Sequence, residues 1–454
     1  MSGSTAIEAQ PQRISQQLCT YLAELRYEDL PQRVVHEGRR GVLDWLGCAL
    51  AGSTHPTIDL LIGVQQEIGS LAQATVIGRK LKLGLLDTAL ANGQIGHVLD
   101  YDDTHIAETT VMHTSSPLLA AMFALSEREK TNGRDFLLAY AAGFEVGIRS
   151  GLACPHHQSG GWHMTATLGT LAVGAAAGKL MRLDAAQLEH AIAISATQAA
   201  GLRNTKGSMC KSFHAGKAAM NGLLAALLAR RGFDSPQDIA QHKQSFCHVY
   251  SDVAVPQALV ADLGQRWELA RNGHKPYACG VVLHAAIDAV LALRAQTKID
   301  PARVSEIGII GHPHVLSVTG VADPAHGLQS KFSINHSAAV ALIDGAAQIP
   351  QYTDQRALDP AVIALRKKVT VKIDESLHKD QARAYLIMDG TRYESVIEHA
   401  SGSMDNPMSD NALEAKFMAN AEPVVGKETA RRIADLAWKL DALDDVSALC
   451  DLYT

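Results

Sequence analysis

The sequence predicts a mainly α fold, in which a large all-helical domain carries a smaller α/β domain. Three observations support this expectation. With 454 residues, of which 47% are hydrophobic, the chain can bury more than one core. Residues 11–233 are rich in alanine at helical spacing, whereas short alternating runs typical of strands follow residue 300. We therefore assign 1–267 and 405–454 to the all-helical domain and 268–404 to the α/β domain.

Alanine-rich segments indicate the helices of the larger domain. Apolar side chains recur at helical spacing in three of them, residues 37–52, 115–129 and 185–202. Ser115, Ser116 and Asp184 stand at two helix starts, where their side-chain oxygens can accept hydrogen bonds from unpaired backbone N–H groups. The longest apolar run, 166–181, is too short and too rich in Gly and Ala for a membrane span. We expect it to be a buried helix.

Alternation of apolar and polar residues indicates the strands of the smaller domain. Four runs show it, at residues 303–311, 368–374, 383–390 and 392–400. In the second run, Val369, Val371 and Ile373 should share one face of the strand. Predicted helices at 281–296 and 336–348 alternate with these strands, which favours an α/β arrangement. A helix at 428–443 should return the chain to the larger domain.

Charge and cysteine content exclude several classes of partner. The 41 basic and 47 acidic residues give a formal charge of -6, so we expect no nucleic acid and no membrane as a partner, and a small molecule instead. The seven cysteines are scattered without a C-x-x-C pair, which is typical of a reduced cytoplasmic protein without structural zinc. Residues 1–12 are polar and lack an apolar core, so no signal peptide is expected.

Known cofactor and hydrolase motifs are missing from the sequence. It contains no G-x-G-x-x-G, no phosphate-binding loop and no G-x-S-x-G, so we expect no nucleotide cofactor. The segment GHVLDYDDTH, residues 96–105, concentrates Asp100, Asp102, Asp103 and His105. These groups are compatible with a metal site, an acid/base cluster or a solvated turn. Ile106 stands where a D-D-x-x-D motif needs its last acid, so we expect no metal.

Histidines and lysines are concentrated in glycine-bounded loops. They are His113, His163, Lys206, Lys211, His214, Lys217, His274, Lys275 and His284. Tyr277 lies in the same segment as Lys275 and adds a phenol group. Each stands near a junction between a loop and a helix, where rigid scaffolds often present catalytic groups. One such residue alone is more often structural, and His284, inside an apolar helix, is the strongest candidate for a core histidine. A functional site requires that several of them converge.

Six segments, in chain order, carry a resemblance to the MmgE/PrpD family. They are NGQIGHVLDYDDTH, GWHMTATLGTLAVGAAA, CKSFHAGKAAMNGLLAALLARRGF, HKPYACGVVLHAAIDA, KFSINHSAAVALIDG and DNPMSDNALEAKF. The resemblance extends over about residues 14–440. It implies an all-helical domain built from both chain ends, a smaller α/β lid, a site in the cleft between them, no cofactor and a homodimer.

The resemblance also implies site residues. Matched to the family's cis-aconitate decarboxylases, five positions are implied to be catalytic, namely Asp100, Thr104, His113, His163 and Lys211. Five further residues are expected to bind substrate, namely Lys206, Lys275, Tyr277, His284 and His336. Two positions depart from the decarboxylase pattern, because Gly280 replaces a catalytic His and His336 replaces a Tyr. His284 is a conjectural substitute for the missing His.

The family's reactions deprotonate or reprotonate a carbon next to a carboxylate, which requires cations, a general base and a general acid. We expect Lys211 and Lys275 to hold substrate carboxylates and His163 and His113 to serve as acid and base. Asp100 would orient one histidine and, if its segment is helical, share a face with Thr104. Asp102, Asp103 and His105 are expected to cap, pair or face solvent.

Three functions stay open at this point. The first expectation is a cofactor-independent hydro-lyase that dehydrates a citrate-like or 2-methylcitrate-like polycarboxylic acid. The alternatives are a decarboxylase of a cis-aconitate-like acid or an epimerase of an amino-dicarboxylate, both using the same proton-transfer groups. A non-catalytic protein that binds a di- or tricarboxylate is the alternative from another class.

Overall fold

The computed structural model describes residues 13–107 and 109–453. Residues 1–12, for which we predict no signal peptide, lie outside this part of the chain. The described residues form a mainly α protein with two small hairpins and one four-stranded sheet, which confirms the predicted fold class at that level. Two clusters of buried apolar residues provide its cores, one dominated by the helices before residue 270 and one by residues 278–400.

The first core is built mainly from long helices. They are α1 (Ile14–Glu24), α2 (Gln32–Gly52), α3 (Pro56–Ile68), α4 (Leu85–His97), α5 (Ser115–Glu129), α6 (Gly133–Leu152), α7 (Met164–Leu180), α8 (Ala185–Ala196), α9 (Met209–Arg230) and the short α10 (Phe246–Val249). Two hairpins interrupt them, β1 (Ala74–Thr75) with β2 (Lys82–Leu83), and β3 (His105–Ile106) with β4 (Val111–Met112). All but one of the residues of α7 are buried, as expected of the longest apolar run. Among the described residues, no helix combines the length and apolarity that crossing a membrane requires.

Glycines let α4 and α9 pack backbone against backbone. A Cβ atom on Gly93 would lie 2.7 Å from the Cα of Gly216, and one on Gly216 would lie 2.2 Å from the carbonyl oxygen of Leu90. Neither position can therefore accept a larger residue without moving the helices apart. This close approach brings the end of α4, at His97, against the first turn of α9, which contains Lys211.

The second core is formed around a mixed sheet. Its strands are β5 (Val304–Gly311), β6 (Val369–Ile373), β7 (Ala382–Met388) and β8 (Thr391–Ile397), in the order β6-β5-β7-β8. β5 and β6 are parallel, and the other pairs are antiparallel. The associated helices are α11 (His284–Gln296), α12 (His314–Ser317), α13 (Gly327–Ser330), α14 (Ile334–Asp344), α15 (Asp354–Ala357) and α16 (Pro360–Arg366). The four strands match the predicted runs, although Ile373, expected on the same face as Val369, is 39% exposed.

The chain then returns to the first core. Its last helices are α17 (Asp410–Val425), α18 (Lys427–Trp438) and α19 (Ser447–Cys450). Phe417 on α17 packs against α2, where a Cβ atom on Gly47 would lie 3.0 Å from the Phe417 ring. Lys416 donates hydrogen bonds to the carbonyl oxygen of Tyr101 (2.7 Å) and pairs with Asp44 (2.6 Å). The two ends of the chain therefore contribute to one helical core.

The predicted helix starts have different outcomes. Asp184 caps α8 as expected, because its carboxylate accepts a hydrogen bond from the backbone N–H of Gln187. α5 begins at Ser115 as predicted, but neither serine caps it. Ser115 instead donates to Asp103, and Ser116 donates to Asp102 at 2.7 Å. The two serines therefore hold the acidic cluster rather than the helix end.

Candidate active site

The acidic cluster lies on the irregular chain between α4 and α5. α4 ends at His97, and Asp100 has a φ of 50°, in the left-handed region that Asp tolerates better than most residues. Thr104 is hydrogen-bonded as an isolated bridge to Gly273. The segment is not helical, because α4 ends before both residues, so the condition under which Asp100 and Thr104 would share a helical face is not met. They nevertheless converge, since each lies within 3.5 Å of His113.

His97 connects a lysine to a carboxylate. Its Nδ1 lies 3.0 Å from Asp102, and its Nε2 lies 3.0 Å from Nζ of Lys211. A lysine ammonium donates hydrogen bonds and accepts none, so Nε2 must be the acceptor and Nδ1 must carry the proton. Burial lowers the pKa of His97 to about 4, which agrees with a neutral imidazole.

Asp102 holds two imidazoles at once. One of its oxygens lies 3.3 Å from Nδ1 of His113, in addition to the contact with His97, and Ser116 donates to the other. Burial alone would raise the pKa of Asp102, but the two histidines hold it well below its usual range. Asp102 was expected to cap, pair or face solvent, and of these it pairs. The structure makes it the link between His97 and His113.

Asp100 is the carboxylate around which the lysines gather. Lys211 and Lys275 both donate to its Oδ1 at 3.1 Å, and Lys275 also donates to its carbonyl oxygen at 2.6 Å. Burial opposes ionisation, yet these two ammonium groups hold the pKa of Asp100 well below its usual range. Nε2 of His113 lies 3.5 Å from the same oxygen. Asp100 is thus ionised and shared between two lysines and one histidine.

A second pair of histidines stands beside this cluster. His163 is the residue that precedes α7, and its Nδ1 lies 2.9 Å from Nδ1 of His214 on α9. The His163 ring also stacks on that of His97, with centroids 6.2 Å apart and 24° between the ring planes. Burial, together with Lys211, holds the pKa of His163 well below its ordinary value. One imidazole of this pair must donate and the other accept, so at most one extra proton fits here.

Asp103 and His105 do not face solvent, since both are fully buried. Asp103 accepts a hydrogen bond from Asn272 at 2.6 Å as well as one from Ser115, and burial raises its pKa to about 7. His105 lies 3.2 Å from Glu268. Both residues therefore fasten the acidic segment to the chain around residue 270.

The expected substrate-binding residues occupy different places. Lys275 joins the cluster, and His284 is buried with an Nε2 atom that has no hydrogen-bond partner among the described residues. Lys206 is partly buried in the loop before α9, where burial lowers its pKa to about 8. Tyr277 donates to Asp288, and Nε2 of His336 bonds the carbonyl oxygen of Gln351 at 2.7 Å. The last two side chains are thus bonded away from the lysine cluster.

Four residues of the cluster were not among the predicted site residues. They are His97, Asp102, His214 and Lys331. Lys331 is buried and donates to the carbonyl oxygens of Leu99 (2.7 Å) and Ala278 (2.8 Å), and burial lowers its pKa to about 8. All four stand inside the segments that resemble the family, so position in these segments was the available signal. Residue type and neighbouring sequence alone did not distinguish these four residues from structural histidines, lysines and acids.

Two cavities adjoin the cluster. A narrow one of about 10 Å³, room for about one water molecule, is lined by Asp100, Lys211, Lys331 and Phe332 among others. A larger one of about 500 Å³ has Thr104, Lys275 and His284 in its wall. Asp100 links the two, because it lines the first and is hydrogen-bonded to Lys275 in the wall of the second.

Two groups among the described residues have side chains close enough to share a metal ion. One is His97, Asp102 and His113. Both ring nitrogens of His97 are already engaged, by Asp102 and by a lysine ammonium that would repel a cation. The other group, Asp380, His399 and Asp405, is largely exposed and lies outside the lysine cluster. The buried group is therefore better suited to proton transfer than to metal binding.

Comparison with known proteins identifies relatives of this chain. Cis-aconitate decarboxylase from Aspergillus terreus is 28% identical, over 97% of this chain and 95% of its own. The cis-aconitate decarboxylase-like protein oryM from Aspergillus oryzae is 27% identical, over 99% of both chains. Human cis-aconitate decarboxylase is 25% identical, over 97% of this chain and 94% of its own. The MmgE/PrpD N-terminal domain matches residues 16–258 and the MmgE/PrpD C-terminal domain matches residues 277–442. The chain therefore belongs to the MmgE/PrpD family.

Proposed function

We propose that this protein is a cofactor-independent lyase that decarboxylates a cis-aconitate-like polycarboxylic acid. The observation that carries the proposal is a set of three lysines around the single carboxylate of Asp100, namely the buried Lys275 and Lys331 and the partly buried Lys211. Buried cations are costly unless they are paired. A polyanionic ligand is the partner that such a group suits.

Each of the three ammonium groups has capacity left for a ligand. Each donates two hydrogen bonds to groups in the described part of the chain, and an ammonium carries three N–H donors. The third donors can bind substrate carboxylate oxygens through charge-assisted hydrogen bonds. Asp100 would then keep Lys211 and Lys275 in place and limit the charge before substrate arrives.

Decarboxylation suits the groups that are present. When carbon dioxide leaves, the electron pair of the broken C–C bond stays on the substrate and spreads towards a neighbouring carboxylate. Lys211 and Lys275 would stabilise that negative charge. His113, which contacts Asp100, Asp102 and Thr104, would deliver a proton to carbon, with His163 as the other acid/base group and Thr104 as a hydrogen-bond donor to substrate.

The relatives favour this alternative over the dehydration that we expected first, because those compared are named for cis-aconitate decarboxylation. One observation keeps dehydration as the second candidate. Gly280 stands where the resemblance implies a catalytic His of the decarboxylases, and a Cβ atom there would lie 2.9 Å from Thr319. A dehydratase would use the same lysines to bind a citrate-like acid. An epimerase has less support from these relatives.

A substrate panel tests the proposal. The purified protein is incubated with cis-aconitate, citrate, 2-methylcitrate and an amino-dicarboxylate, and the products are analysed by mass spectrometry. Loss of 44 mass units, the mass of carbon dioxide, is the expected result, whereas loss of water would establish the second candidate. Specific binding of these acids without turnover would show a carboxylate-binding protein and contradict the proposal.

We also propose a homodimer, a cytoplasmic location and a lid role for residues 268–404. α3 exposes Leu60, Val64 and Ile68, spaced four residues apart on one face, which offers an apolar contact surface. All seven cysteines are free thiols, as a reducing compartment requires. Light scattering of the purified protein tests the dimer.

A further inference from the structure

The larger cavity offers more space than a small polycarboxylate needs. Its volume is about 500 Å³, and pockets of this size hold drug-sized ligands. Its buried end includes Thr104, Lys275 and His284, all at most 2% exposed, of which the first two contact the Asp100 cluster. Cis-aconitate has only six carbon atoms, so a molecule held at this end would leave most of the cavity unfilled.

One part of the wall of this cavity is apolar. Ile106 and Val111 come from the hairpin of β3 and β4, and Val281 and Val282 come from the helical turn before α11. A substrate made only of carboxylate arms would leave these four side chains facing water. Ionisable side chains of both signs line other parts of the wall, among them Arg271, Lys379, Asp380 and Asp405. The cavity thus combines a lysine at its buried end with an apolar part of its wall, which suits an amphipathic acid.

We propose that the natural substrate is a polycarboxylic acid with an alkyl arm of several carbons, and that Val111, Val281 and Val282 select it. This inference rests on the proposed function, because it places one carboxylate beside Lys275 and Thr104, next to the Asp100 cluster in which Lys211 and Lys331 would bind the others. The alkyl arm extends from there along the apolar part of the wall. Burial of each methylene in such a wall is worth roughly fourfold in kcat/KM.

His284 fits this arrangement. It lies at the buried end of the cavity, and its Nε2 atom has no hydrogen-bond partner among the residues that the structure describes. Buried polar atoms are rarely left without a partner. A carboxylate or hydroxyl group of the ligand head would provide one, at the buried end of the cavity.

A homologous series of substrates tests the proposal. Carbon dioxide release is measured with cis-aconitate and with homologues in which a methyl, ethyl, butyl or hexyl group replaces one methylene or vinyl hydrogen. We expect kcat/KM to rise with chain length, by at least tenfold from cis-aconitate to the butyl homologue. In Val282→Phe the added ring occupies the space beside the apolar part of the wall, so the ratio of kcat/KM for the butyl homologue to that for cis-aconitate should fall towards one. Val249→Phe, the same exchange at an exposed position on α10, should keep it.

The outcomes separate the inference from the proposed function. Release of carbon dioxide at a rate that stays flat or falls with chain length overturns the alkyl arm and leaves decarboxylation standing. Absence of carbon dioxide from every member overturns decarboxylation, and calorimetric binding of succinate, butylsuccinate and hexylsuccinate then decides. If the affinity rises with chain length in the wild type but not in Val282→Phe, the alkyl arm is supported. Equal affinity of the wild type for the three acids overturns it.

Discussion

Nζ of Lys211 lies 3.0 Å from Nε2 of His97, so an ammonium group sets the tautomer of a buried imidazole. The proton on Nδ1 then faces Asp102, which also contacts His113. A substrate carboxylate that binds Lys211 is therefore connected through three hydrogen-bonded groups to the proposed proton donor. This connection gives Lys211 two roles, since it binds charge and it orients the histidines.

Replacement of Lys211 should reveal both roles. In Lys211→Met the carboxylate contact is lost and His97 can change tautomer, so we expect kcat/KM for decarboxylation to fall by about 10²- to 10³-fold. Lys217→Met, a further lysine on α9, is the matched control and should keep the activity of the wild type. Steady-state carbon dioxide release gives the rates, and circular dichroism verifies folding. Equal activity of the two variants would contradict the assignment.

Two neighbouring acids should respond differently to amidation. Asp102→Asn replaces a carboxylate that accepts from two histidines, so we expect at least about 100-fold lower kcat and a loss of about 2 kcal/mol in the free energy of unfolding. Asp103 has its pKa raised to about 7 by burial, so at pH 6 it is mostly protonated and resembles an amide. Asp103→Asn should change the free energy of unfolding by less than about 1 kcal/mol at pH 6. Urea unfolding of both variants checks this contrast, and a larger loss in Asp103→Asn would refute it.

Local patterns in the sequence predicted local structure well. The alternation at 303–311 became β5, and Asp184 caps α8 because both depend on neighbouring residues only. The resemblance to the family supplied Asp100 and Lys211, which the structure brings within 3.1 Å of each other although 111 positions separate them. Rules based on neighbouring residues could not have predicted that distance.

Contacts between distant segments could not be predicted. His97 stands within the acidic segment GHVLDYDDTH, yet its role depends on the packing of Gly93 against Gly216, which brings α9 to the end of α4. Lys331 is comparable, because its partners, Leu99 and Ala278, belong to two other segments. Ser115 and Ser116 matched a capping pattern, but Asp102 and Asp103 compete for the same hydroxyl groups. The two serine hydroxyl groups therefore bind the buried acids and do not cap the helix.

Buried histidines should make the stability of the fold depend on pH. Burial lowers the pKa of His157 from its ordinary value of 6.5 to about 4. Between these values the unfolded chain binds more protons than the folded protein, so this contribution is complete above pH 6.5 and is lost as the pH falls to 4. His157→Gln should lower the slope of unfolding free energy against pH in this window by up to about 1.4 kcal/mol per pH unit. Urea unfolding at pH 7, 6 and 5 measures it, and an unchanged slope would contradict the prediction.

Lys331 should affect substrate binding more than turnover. Its third N–H is available in the narrow cavity beside Lys211, while the other two bond the carbonyl oxygens of Leu99 and Ala278. In Lys331→Met a substrate carboxylate loses one cation, and we expect KM to rise about tenfold with a smaller change in kcat. The two unpaired carbonyl groups should also lower the free energy of unfolding by about 1–3 kcal/mol.

Lys179→Met separates these two effects. Lys179 also donates to two backbone carbonyl oxygens, those of Ala23 and Leu25, but it lies outside the site. Its replacement should lower stability and leave KM unchanged.

Because burial lowers the pKa of Lys331 to about 8, KM of the wild type should also rise above pH 8, where the ammonium loses its proton. In Lys331→Met this rise should be absent, and a KM that depends on pH equally in both proteins would show that Lys331 does not bind the substrate.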